Sequence, residues 1–145
     1  MTKILTIYTN IRQIIKIKGK NGEAKMILFD GRSESEFFRG TVCSGGVDTQ
    51  KQEIGKVMTL SARYVLEGKD YTGRGCRIFI ENNAEITGKN FMTKPEIYTD
   101  SDALSFLEKA ELSGTLTPYK DGVVVHIYCS DKDVPAINKS KRSGI

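Results

Sequence analysis

Apolar and polar residues alternate with period two along most of the chain, the pattern of strands with one face buried. Ile4 to Ile17 is rich in isoleucine, Asn21-Gly22 marks a tight turn, and AKMILFDG follows, so the chain is expected to open with a β-hairpin. FFRGTVCSGG supplies another strand, which breaks at Gly45-Gly46; Asp48 follows two residues later, where a tight turn would present it. Lys56 to Gly68 is the longest regular strand. Met58, Leu60, Ala62, Tyr64 and Leu66 lie on one of its faces, and Thr59, Ser61, Arg63 and Glu67 on the other. The glycine-rich GKDYTGRG turns the chain into CRIFIENN, and EIYTD is a short strand confined to an edge or a start by Pro95. One short α-helix is predicted over DALSFLEKAEL, with Ser101 as its N-cap and Gly114 as its end. LSGTLTPYKDG then makes a strand and a turn, and the β-branched VVVHIYCS closes the pattern.

Many strands joined by short turns, with one short helix, predict an all-β fold, either a sandwich or a barrel. A single antiparallel closed β-barrel is favoured, because an open meander of this length leaves two exposed edges that closure removes. Residues 1–130 are expected to form this one domain and 131–145 a loose C-terminal tail.

Composition narrows the function. The formal charge of +4 owes much to KIKGKNGEAK and the terminal KSKRSGI, with no aromatic-interleaved basic strip, so nucleic acid is not an expected partner. No apolar run is long enough for a membrane helix, and MTKILTIYTN lacks the apolar block of a secretion signal; a cytoplasmic location and no membrane partner are expected. Three cysteines without a CxxC pair and a single histidine argue against a disulfide framework, a zinc site or a serine-histidine triad. Neither a metal nor a cofactor is expected, and GKD lacks the spacing of a phosphate loop.

The chemistry then rests on carboxylate, guanidinium, phenol and amide groups. Asp48 is either a turn residue or an acid aimed into the barrel. Arg63, if its face is the lumen, would fork onto an anionic ligand; if outside, it is a surface residue with its stem along the sheet. An apolar interior would instead turn Tyr64 inward, to offer its phenol or fill the core. His126, flanked by Val125 and Ile127, is a general base or a packing residue. Asn82 binds a ligand or caps its turn.

FFRGTVCSGGVDTQ, SARYVLEGKDYTGRGCRIFIENNA and TKPEIYTDSDALSFLEKAELSGTLTPYKDGVVVHIY together resemble a bacterial family of small proteins of unknown function, grouped structurally with the allene oxide cyclase barrel. The first stretch is similar to that family's RGxVxxGGxD, although Thr49 stands where a tryptophan usually follows. The resemblance implies a calycin-like or allene oxide cyclase-like barrel of about eight to ten strands, often self-associating, whose lumen holds a small organic molecule. It also implies Asp48 as acid or base, Asn82 as a ligand contact and a polar lumen that includes Arg63. The expectation is a barrel binding a small anionic or enolisable ligand, catalysing a cofactor-independent isomerisation or cyclisation. Asp48 and His126 would be catalytic, Arg63, Asn82 and Tyr64 would bind substrate, and the protein would be a homodimer or higher homo-oligomer. The alternatives are a carrier with the same cavity, or an interaction module whose barrel is filled.

Overall fold

The structure is a computed structural model that describes residues 1–136. Nine strands form its frame: β1 (Thr2–Lys18), β2 (Gly22–Glu34), β3 (Phe38–Val42), β4 (Val47–Glu53), β5 (Met58–Asp70), β6 (Gly75–Ile86), β7 (Lys94–Thr99), β8 (Leu112–Tyr119) and β9 (Gly122–Cys129). All pairings among them are antiparallel, in the order β7-β6-β5-β3-β2-β1-β9-β8. Strand β4 occupies the same position as β3, further along β2 and β5. The ring therefore has eight positions, one of them filled by a broken strand. Between its halves Gly45 takes a φ of +105°, a left-handed conformation that suits glycine. The ladder is kept across the break by hydrogen bonds from Cys43 N–H to Val65 O (2.8 Å) and from Phe29 N–H to Gly46 O (3.0 Å).

The two ends of this order, β7 and β8, meet at one bridge. Thr93 N–H donates to Gly114 O at 2.9 Å, and Gly114 N–H donates to Thr93 O at 3.0 Å. The expected closed barrel is thus formed, with this one bridge joining the two end strands. Gly114 is required there because a Cβ would overlap Thr93 Oγ1.

One end of the barrel is filled by Leu5, Ile7, Phe38, Leu66, Ile78 and Ile127, all fully buried. The segment after Ser101 caps this end, but it is not the predicted α-helix. It is a single 3₁₀ turn, Ser105–Glu108. Leu104, Leu107 and Ala110 recur every three residues, the period at which 3₁₀ side chains eclipse, and all three pack on the core. Ser101 is not the N-cap of this turn, a place taken by Leu104 without a side-chain hydrogen bond, but it holds the preceding turn: its Oγ accepts from Leu104 N–H at 3.1 Å and donates to Asp70 Oδ2 at 2.7 Å. Asp70 also accepts from the Thr72 and Arg74 N–H groups and the Thr72 hydroxyl. Burial alone would raise its pKa, but these donors outweigh burial and hold it below the usual carboxylate range.

The start of the expected tail is tied down. A 3₁₀ turn, Asp131–Asp133, accepts from the Thr2 hydroxyl at 2.7 Å and from Glu111 N–H at 2.9 Å, and Val134 packs on the core. The remainder of the tail, 137–145, lies outside the described residues.

Replacing Gly114 with valine forces either Thr93 or the seam to move. We expect Gly114→Val to lower unfolding free energy by about 2 kcal/mol, measured by urea denaturation; an unchanged midpoint would show that the seam is not close-packed.

Candidate functional site

The alternation of β5 sends Leu60, Ala62, Tyr64 and Leu66 inward, each a step deeper into the barrel. Leu66 belongs to the filled end, and Tyr64 marks where filling stops. Its ring meets Phe29 edge-on at 5.3 Å between centroids, and the two form the floor of a cavity of about 550 Å³ that occupies the other half of the lumen. The walls are mostly apolar: Ile11, Ile27, Leu60, Leu116, Val123 and Val125. Gly88, Lys89 and Phe91, from the loop between β6 and β7, line its mouth. An open lumen overturns the filled-barrel alternative.

Asp48, Asn82 and Tyr64 are among the polar side chains that line this space. Asp48 is not a turn residue: it is the second residue of β4, and its register partners are Ile27 on β2 and Ala62 on β5. Ala62 in turn faces Asn82 on β6. Directly opposed residues project from the same face of a sheet, so Asp48, Ala62 and Asn82 form one row across three strands, spanning roughly 10 Å. Tyr64 lies two residues further along β5, on the same face. Each of the three has a buried oxygen without a hydrogen-bond partner: Asp48 Oδ1, Asn82 Oδ1 and the Tyr64 hydroxyl. Such a group costs roughly 1–3 kcal/mol when left unsatisfied.

The electrostatics follow from the burial. Desolvation raises the Asp48 pKa, partly offset by the hydrogen bond from Gln50 Nε2 (2.9 Å) and by the charge of Lys25. Burial, and secondarily the nearby Asp48 charge, pushes the Tyr64 phenol upward, so it stays neutral and able to donate.

Two expected site residues point elsewhere. Arg63 has the parity opposite to Tyr64, and because the inner face is the apolar one, Arg63 faces out; its side chain is 60% exposed and its Nε is 2.9 Å from Glu81 Oε1. It cannot clamp a ligand in the lumen. His126 alternates with Val125 and Ile127, which face inward, so its ring lies on the outer surface, 3.3 Å from Thr6 Oγ1 and tilted against Tyr128. Burial and the Lys3 charge lower its pKa. Gln50 and Thr9, by contrast, line the cavity without having been singled out. Their signal was parity, since Gln50 is two residues after Asp48 on the same strand face.

No cluster of three or more histidine, cysteine, aspartate or glutamate side chains suited to a metal occurs among the described residues. Among the same residues no helix is long and apolar enough to cross a membrane.

Residues 1–90 match a family described as proteins of unknown function, DUF3237. This chain belongs to that family. Solved structures with the same fold include a protein of unknown function from Clostridium acetobutylicum, with 23% identity, a TM-score of 0.74, and coverage of 88% of this chain and 96% of that one. A β-barrel-like protein from Acinetobacter baumannii is 16% identical with a TM-score of 0.72, covering 88% and 93%. A chain from Penicillium herquei described as an enzyme is 15% identical with a TM-score of 0.65, covering 88% and 90%. No protein of curated function matches in sequence. The DUF3237 barrel seen here thus combines a filled half with an open, polar-tipped half.

Because the folded state holds the Asp48 proton more tightly than the unfolded chain does, Asp48 lowers stability as pH rises from the unfolded carboxylate value through the raised folded one. Asp48→Asn should therefore raise stability at pH 7 by on the order of 1 kcal/mol, with the gain vanishing below about pH 4. Thermal unfolding across this range checks it; a variant less stable than the parent at pH 7 would contradict a desolvated carboxylate.

Proposed function

We propose that the lumen binds a neutral, largely apolar, enolisable small molecule and that Asp48 moves a proton on it, giving a cofactor-independent isomerisation or cyclisation. The observation that carries this reading is the trio of unpartnered buried oxygens, on Asp48, Tyr64 and Asn82, at the tip of an otherwise apolar cavity. Small-molecule sites have this make-up: apolar walls and a few convergent polar groups. The anionic arm of the expectation is dropped, because the guanidinium meant to hold an anion is outside, and a carboxylate inside would repel one.

Desolvation makes Asp48 a stronger base than an exposed aspartate, as proton abstraction beside a carbonyl requires. The neutral Tyr64 hydroxyl donates to the oxygen on which negative charge collects, and the Asn82 amide supplies a second polar contact along the same row. Asp48 then returns its proton to another carbon of the ligand, so the step balances without a co-reactant. Water exclusion and a fixed ligand pose lower the barrier further. A barrel of the same fold is described as an enzyme, which accords with catalysis but names no reaction. The apolar lining equally suits a carrier.

The two readings separate on 2-tetralone, a bicyclic enolisable ketone that fits the cavity. We expect the protein to accelerate exchange of its α-hydrogens with deuterium oxide, followed by proton NMR, and Asp48→Asn to reduce the acceleration by ~10²-fold or more while keeping affinity within a few fold. Binding without acceleration would identify a carrier, and neither binding nor exchange would remove the proposal for ligands of this class.

A further inference from the structure

Strand β1 runs on past the end of its partner β9. Strand β9 pairs with β1 only from Thr2 to Tyr8, and the last backbone bond on that side runs from Ile11 N–H to Asp121 O at 2.9 Å. A register shift between Ile11 and Gln13 then turns β1 away, and β1 continues to Lys18 paired with β2 alone. From Gln13 to Ile17 its other edge meets no strand among the described residues, leaving backbone donors and acceptors free to pair. The same segment is unusually apolar for such an edge: Ile15 is 43% exposed and Ile17 68%, and Met26, opposite Ile15 on β2, is 43% exposed.

We propose that this edge pairs with the same edge of a second copy, joining two barrels through one continuous sheet. A two-fold axis perpendicular to the sheet makes the pairing antiparallel and self-complementary. It also places like faces together, so opposed residues must have the same parity. Among such registers, centring on Lys16 sets two lysines directly against each other, and centring on Ile17 or on Ile14 leaves part of the free edge from Gln13 to Ile17 unpaired. Centring on Ile15 uses the whole free edge, setting Ile15 against its own copy, Ile17 against Gln13 and Lys16 against Ile14, with Arg12 meeting Lys18 just beyond its ends. The two Met26 side chains flank this strip. Charge is partly relieved within each chain, where Arg12 is ion-paired with Asp30, Lys16 with Glu23, and Lys18 lies opposite Glu23 on β2. The contact lies outside the cavity and does not depend on the ligand.

Sedimentation velocity over a micromolar concentration series should show mass rising toward twice that of the monomer, and Ile15→Lys/Ile17→Lys should weaken association by at least ~10-fold. Ile15→Cys in a Cys43→Ser background should form a disulfide-linked dimer on mild oxidation, because the pairing sets this residue against itself. Ile54→Cys in the same background, exposed on the β4–β5 turn, should not. A monomer at every concentration, a dimer indifferent to the two lysines, or equal cross-linking at both cysteines would overturn the proposal. Circular dichroism of each variant confirms that these exposed changes leave the barrel folded.

Discussion

The lumen exists because Thr93 and Gly114 close the ring. Those two backbone hydrogen bonds join strands β7 and β8, which would otherwise be the free edges of one long sheet. With the ring shut, a side chain that alternates inward has two destinations: the packed half under the Ser105–Glu108 turn, or the open half above Tyr64 and Phe29. Position along a strand decides which. On β5 the four inward residues pass from cavity wall to solid core within seven positions, Leu60 to Leu66.

A closed, half-empty barrel has an energetic consequence. The packed half carries apolar burial without interruption, which supports leaving Asp48, Tyr64 and Asn82 with unpartnered oxygens in the other half. Buried polar groups are otherwise almost always satisfied. Their clustering on neighbouring strands, in a single row with one step toward the floor, is what favours the proposed binding site over scattered packing defects. A ligand bearing both a hydrogen-bond acceptor and a donor would satisfy them and recover the lost free energy as affinity.

Much of this was legible in the sequence. The hairpin through Asn21-Gly22, the strict alternation of Lys56 to Gly68 and the β-branched final strand all fold as their patterns predict. What failed has a common cause. After Gly45-Gly46 the polar residues from Asp48 on give no strand signal, because strand patterns assume that an inward face is apolar, yet here Asp48 and Gln50 face a cavity rather than a core, the inward alternative for Asp48. The same cavity explains the error at Arg63. A polar lumen was expected to turn the polar face of β5 inward, whereas the polar groups come from β4 and β6 and the apolar face of β5 lies between them. The Val125 and Ile127 that flank His126 face inward, and by alternation the expected base or packing residue faces out. The helix was misjudged because spacing of three and spacing of three or four are indistinguishable over so few residues; only packing against the barrel end selects the tighter turn.

On the proposed function the upper lumen is a binding cavity and not an empty space. Native mass spectrometry of the protein freshly purified from its host, set beside Ala62→Trp, tests it most directly, since the indole would fill the gap between Asp48 and Asn82. A retained organic molecule of a few hundred daltons is expected on the parent and none on the folded variant. The same adduct on both proteins would contradict it.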